Sequence, residues 1–232
     1  MIQAIQKGQE TKIVVVLIAS ILMDFLGFGI VLPLLPFYAQ SLDASPFEIS
    51  ILLGLFPLML TIAPALWGSL GDRIGRRPAF LFNIAGTTLS FLWLGFANSL
   101  WMLFIARILG GLSSASMVIA QSYISDLTTP EERTQKLGFL GAAAGIGFVI
   151  GPVIAGLLSG SDSTGLNFHL PALSAAIASG VTFSVAFFTL PEAKSIKFKP
   201  AIEQRHPLAQ LIPEFRQVLQ RPMVGRLIML TF

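Results

Sequence analysis

Two ionisable residues stand inside strongly apolar runs of this chain, Asp24 in ILMDFLGFG and Arg107 in FIARILGG. Asp24 lies roughly 12 residues into its run and Arg107 roughly eight into its own, so a rise of about 1.5 Å per residue puts both near the middle of a bilayer. An unpaired charge at that depth costs at least ~2.5–3.5 kcal/mol. Three things relieve the cost: a polar cavity, an opposite charge, or neutralisation. Burial favours the neutral form of a carboxyl group and a nearby cation favours its charged form. Movement of Arg107 toward or away from Asp24 would therefore switch the acid between holding and releasing a proton. That is a proton-coupling device in outline. The plainer alternatives are an arginine that snorkels to the interface and a neutral, hydrogen-bonded core acid.

A second cluster lies in WGSLGDRIGRRP, where Asp72, Arg73, Arg76 and Arg77 crowd a short gap between apolar runs. Gly68 permits close helix approach and Gly75 a tight turn. Asp72 suits either a helix N-terminus or an arginine partner, and one of the three arginines is placed to reach Asp126. Glycine forms the third pattern, with Gly138, Gly141, Gly145, Gly147, Gly151, Gly156 and Gly160 along one run. Spacings of four let helices approach closely in lipid, and Pro152 predicts a kink or pliable point. Gly27, Gly29, Pro33 and Pro36 predict that the first run is interrupted near its outer half, as in spans that line a substrate path. Met23, Phe25, Phe28 and Tyr38 are candidate lining residues there, or simply face lipid and neighbouring helices.

The surroundings of these residues set the solvent. Of 232 residues 54% are hydrophobic and only 12% charged, against about 25% charged in soluble domains, and the mean hydropathy is +0.77. Six runs are long enough to span a membrane: 12–38, 47–70, 79–97, 100–125, 134–159 and 168–190. They are continuous, without the period of two that a barrel needs, so helix follows. Lys and Arg are missing from AQSLDASP, ANSL and SGSDSTGLN, which follow the odd-numbered spans. They gather at Lys7, Lys12, the Arg73–Arg77 cluster, Arg133, Lys136 and beyond Lys194. This asymmetry puts the N-terminus and that second set of connections in the cytoplasm.

The expected organisation is a cytoplasmic N-terminus (1–11), a six-helix bundle (12–190), a basic cytoplasmic linker (191–222) and the start of a seventh span (223–232). Within the linker, Leu208, Leu211, Ile212, Phe215, Val218 and Leu219 recur at helical spacing. That pattern suits a helix on the anionic leaflet or one packed on protein. With the seventh run cut short, the sequence reads as the first half of something longer.

Several chemistries are excluded. The basic residues form no nucleic-acid-sized patch, and with no Cys there is neither a disulfide framework nor a thiolate metal site. His169 and His206 have no acid–nucleophile constellation, metal-ligand spacing or phosphate loop beside them, so no enzyme and no bound cofactor are expected.

Taken together, these motifs resemble the major facilitator superfamily, and within it the twelve-helix drug:proton antiporters of the tetracycline-efflux type. Gly68-x-x-x-Asp72-Arg73-x-Gly75-Arg76-Arg77 matches the family's loop motif at every defined position. Gly138, Gly147, Gly151, Pro152 and Gly156 match the antiporter signature, with Ala155 in place of the first member of its final glycine pair. Arg107 and Gly111 match an Arg-x-x-x-Gly core whose usual Gln is Gly110 here, and Asp24, Gly27, Pro33 and Pro36 resemble the first-span motif. The resemblance implies an all-α membrane protein: a six-helix bundle of two inverted three-helix repeats, paired with a second six-helix half around a midplane cavity. It implies alternating access, proton and substrate coupling by Asp24 and Arg107, and a cytoplasmic gating loop (Gly68, Asp72, Arg73, Gly75, Arg76, Arg77, with Asp126) that latches the outward-facing state. The expected function is proton-driven efflux of small amphipathic compounds across a bacterial plasma membrane, with the proton gradient as energy source and no nucleic-acid partner. A metabolite or sugar exporter of the same fold is the runner-up, and a non-transporting membrane fragment or subunit is the alternative outside transport.

Overall fold

A computed structural model describes residues 2–160 and 167–191, all within one compact unit, Met1–Ser195. The expected amphipathic helix and the seventh apolar run lie outside the described residues. Among the described residues seven helices follow in order: α1 (Ile2–Ser41), α2 (Pro46–Ile74), α3 (Arg76–Gly95), α4 (Leu100–Leu112), α5 (Ser116–Leu127), α6 (Pro130–Ser159) and α7 (His169–Thr189). Among the described residues six stretches are long and apolar enough to cross a membrane, with α4 and α5 together forming the fourth. No strand occurs among the described residues.

Local chemistry sets the helix ends. Ser45 and Glu48 form a reciprocal capping box at the start of α2, the Ser45 amide donating to Glu48 Oε2 at 2.8 Å, and Pro46 fills the first helical position. Between α2 and α3 the chain reverses on the single residue Gly75, whose φ of 101° disfavours any side chain. α6 begins with Pro130, and Glu131 and Glu132 complement its N-terminal dipole.

Helix α1 is central, packed along α6 and α7, while α3 joins α7 and α4, and α2 leans on α4. Leu17, Ile21, Phe80 and Tyr123 fill the half of the bundle near the N-terminus of α1. Ile30, Leu35, Leu52 and Leu103 fill the other. Many large apolar side chains on α2, α6 and α7 are exposed, including Phe47, Val149, Leu157 and Phe188. In hydrocarbon such exposure costs nothing, so cohesion comes from close packing rather than from removing apolar surface. The α1–α6 crossing shows this. A Cβ added at Gly151 would sit 2.6 Å from the Gly29 carbonyl carbon, and one at Gly29 would sit 3.3 Å from Pro152 Cδ.

The interruption falls in a different span from the one the sequence predicts. Despite Gly27, Gly29, Pro33 and Pro36, α1 is one unbroken helix, because α6 and α7 support it and two prolines remove only two internal bonds. The fourth span breaks instead, at Ser113–Ala115, where LGGLSSAS combines weak helix formers. Three carbonyls at the break find side-chain donors. Trp67 Nε1 donates to Leu112 O at 2.6 Å, Thr87 Oγ1 to Ser113 O at 2.9 Å, and Ser114 Oγ to Gly110 O at 2.7 Å.

Candidate functional site

A cavity of about 360 Å³ opens between α1, α2, α3 and the broken span, and both Asp24 and Arg107 line it. The wall is otherwise mostly apolar, with Phe25, Phe28, Phe56 and Phe91 contributing four aromatic rings.

Arg107 reaches the cavity because α4 presses tightly on its neighbours. A Cβ on Gly111 would lie 2.5 Å from Met59 Cβ and 3.0 Å from Phe56 O, and one on Gly110 would lie 2.7 Å from Ser90 Oγ. The glycine of the Arg-x-x-x-Gly core thus has a structural reason: it lets α4 close on α2. The guanidinium then stands 5.5 Å from the Phe56 ring, a cation–π distance, while the residue is only 5% exposed. Its Nε and Nη2 are buried without a hydrogen-bond partner. Such donors are costly to leave unmade.

Asp24 is half-buried on the cavity wall. Ser116, the first residue of α5, donates to Asn83 Oδ1 at 2.7 Å, and Asn83 is wholly buried with Nδ2 unpartnered. Asp24 and Arg107 share the cavity but form no ion pair. Aromatic rings connect their surroundings: Phe28, one turn beyond Asp24, packs on Phe56 at 4.7 Å, and Phe56 lies beneath the guanidinium.

The charged loop holds several helices together. Arg76 Nε bonds Asp126 Oδ2 at 3.0 Å and Arg76 Nη1 bonds Asp72 Oδ1 at 2.9 Å, so Arg76 is the arginine that reaches Asp126. Arg77 donates to Phe187 O at 2.8 Å and covers the Phe187 ring, securing the end of α7. Arg73 is exposed, and Gly68 faces open space. Nearby, Lys136 bridges Glu10 of α1 and Glu132 of α6.

The α6 glycines divide by face. Gly147 and Gly151 pack on α1 between Leu22 and Gly29, with Pro152 beside them, whereas Gly138, Gly141, Gly145 and Gly156 have nothing close. Of the candidate lining residues in α1, Phe25 and Phe28 face the cavity. Tyr38 lies at the far end, where its hydroxyl donates to Ala97 O and its ring stacks on Phe168 at 4.7 Å. His169 is placed beside it, Nδ1 2.9 Å from Gly95 O.

The sequence reading missed Asn83, Thr87 and Ser90 on α3 and Ser116 on α5. A signal was present. Positions 83, 87 and 90 share one helical face, all three are polar within an apolar span, and all three are buried.

Comparison with known proteins adds to this geometry. The chain is 36% identical over 193 residues to the class B tetracycline resistance protein of Escherichia coli, covering 82% of this chain and 46% of that protein. It is 36% identical over 198 residues to the class D tetracycline resistance protein of Salmonella ordonez, covering 84% and 49%. Multidrug resistance protein 2 of Bacillus subtilis (strain 168) is 28% identical, covering 87% and 48%. The chain therefore spans about half the length of the curated relatives it matches. Among solved structures, the human organic anion transporter MFSD10 (TETRAN) superposes with a TM-score of 0.68 at 23% identity, over 91% of this chain and 56% of that one, a likeness of fold. The profile of the Major Facilitator Superfamily matches residues 17–232. With six membrane-length helices in that fold, this chain is a multi-pass membrane protein that belongs to the Major Facilitator Superfamily.

Proposed function

We propose that this chain forms the N-terminal half of a proton-coupled exporter of small amphipathic compounds, working by alternating access against a second six-helix half. The observation that carries this reading is the pairing of Asp24 and Arg107 across one mostly apolar cavity without mutual neutralisation. Asp24 carries the proton, and the gradient across a bacterial plasma membrane supplies the energy. Arg107, with unmet donors over an aromatic ring, meets the polar part of the compound. The four phenylalanines receive its apolar part. That wall suits an amphipathic molecule better than a sugar, whose hydroxyls need many polar partners. The relatives named for tetracycline and multidrug resistance support the same direction of transport.

In this reading the N-terminus and the Asp72–Arg77 loop face the cytoplasm. Arg76 fastens α3 to α5 through Asp126, so the latch acts on a bundle that moves as one body. The test is uptake of tetracycline and a panel of amphipathic dyes into everted vesicles containing the chain expressed in its full genomic reading frame. Accumulation should require the pH gradient and should be lost in Asp24→Asn. Accumulation that survives a protonophore would overturn the proposal.

A further inference from the structure

Three hydroxyl side chains line the cavity, Thr87 and Ser90 of α3 and Ser114 at the break. Each has one hydrogen to give, and each gives it to a backbone carbonyl of the fourth span. Thr87 Oγ1 donates to Ser113 O at 2.9 Å, with Asn83 O sharing the hydrogen at 3.2 Å. Ser90 Oγ donates to Ala106 O at 2.8 Å and Ser114 Oγ to Gly110 O at 2.7 Å. A carbonyl oxygen carries no hydrogen, so the direction of these bonds is fixed. What each hydroxyl has left for a guest is a lone pair.

Turning one of these hydrogens toward a guest would only exchange one bond for another. For Thr87 and Ser90 the bond lost is one that ties α3 to the fourth span. Both side chains are buried, at 3% and 5% exposure, so bulk water is not at hand to repair the loss. Asp24 offers acceptor oxygens alone when ionised and a single hydrogen when protonated. Arg107 is the one other lining side chain with hydrogens on nitrogen or oxygen. Acceptors therefore dominate the polar part of the wall. They gather along Ala106–Ser114, because Thr87 and Ser90 lie three residues apart on one face of α3 and both meet that stretch.

We infer that the cavity selects amphipathic compounds that carry their own N–H or O–H donors, with Thr87, Ser90 and Ser114 as the accepting, specificity-determining groups. A guest with one or two such hydrogens on an apolar body finds a lone pair for each. An ether or ester oxygen in the same place has given up its water and faces only other lone pairs. Sites built to bond a particular hydrogen reject analogues that lack it more sharply than apolar pockets reject a change in size. One set of bonds thus does two things here: it secures the broken span, and it strips the cavity wall of donors.

This inference rests on the reading that the cavity receives the transported compound, and equilibrium binding separates it from proton-driven export. Calorimetry of the purified full chain at about pH 7, where a phenol is neutral, would compare three naphthalene amphiphiles. All share a trimethylammonium tail, which has no N–H, and they carry hydroxyl, methoxy or hydrogen at one ring position. The hydroxyl compound should bind about tenfold more tightly than the methoxy compound, with the hydrogen compound between them. Thr87→Val and Ser90→Ala should each narrow that ratio, whereas a purely structural loss would weaken all three compounds alike. Thr87→Ser, which keeps the hydroxyl, should retain the ratio. Equal affinity for the hydroxyl and methoxy compounds, or no binding of any of the three, would overturn the inference, and that comparison needs no variant to fold. A ratio unchanged in both Thr87→Val and Ser90→Ala would overturn it as well. The expected ratio in a chain that shows no gradient-driven flux in vesicles would leave the selectivity standing and overturn the proposed export instead.

Discussion

Asp24 and Arg107 face the same cavity, and neither is the other's partner: no ion pair joins them, and the guanidinium lies over Phe56. Groups that form an ion pair rescue one another when both are removed, because the survivor is no longer left unpaired. No such rescue is expected here. Asp24→Asn combined with Arg107→Gln should transport no better than the worse single variant in the vesicle assay. Recovery of flux in the double variant would show that the two charges pair during the cycle.

Arg76 holds two carboxylates at once, and a lysine cannot reproduce that fork. Arg76→Lys should lower thermal stability in detergent by on the order of 1 kcal/mol. Arg73→Lys, at an exposed position, should leave it unchanged.

The two faces of α6 give an internal control. Gly151→Ala drives a methyl group against the α1 backbone near Gly29, whereas Gly156→Ala extends into open space. Overpacking of this kind costs about 1–3 kcal/mol, so the midpoint of thermal unfolding should fall for Gly151→Ala and stay put for Gly156→Ala. Equal behaviour of the two would contradict the α1–α6 contact.

Trp67 closes the break in the fourth span by donating to Leu112 O. Trp67→Phe keeps most of the ring and removes the donor, leaving a carbonyl short of a partner at a cost of about 1–3 kcal/mol. Hydrogen exchange at residues 113–118 should accelerate, while exchange along α7 should not.

The six spans were plain in the sequence because a helix in lipid needs only length and apolarity, and those are local properties. Asp24 and Arg107 stood out for the same reason, as charges in the wrong solvent. Which arginine would meet Asp126 was not legible, because three cations within five residues differ only in the direction a helix start gives them. The prolines of α1 were over-read: breaking a helix depends on whether neighbours support it, and α6 and α7 do. The break at Ser113–Ala115 was under-read. Glycine and serine within an apolar run look like small packing residues until Trp67 and Thr87, from two other helices, are seen to hold the loosened carbonyls. Asn83 escaped notice because a lone amide in a span is unremarkable until its partners are known.

The same break has a mechanical meaning. Arg107 belongs to the segment before it, and Ser116, bonded to Asn83, belongs to the segment after it. The joint between them is tied from outside by Trp67 and Thr87, so helices α2 and α3 set the angle between its two arms. An unbroken helix would have fixed both arms to a single axis.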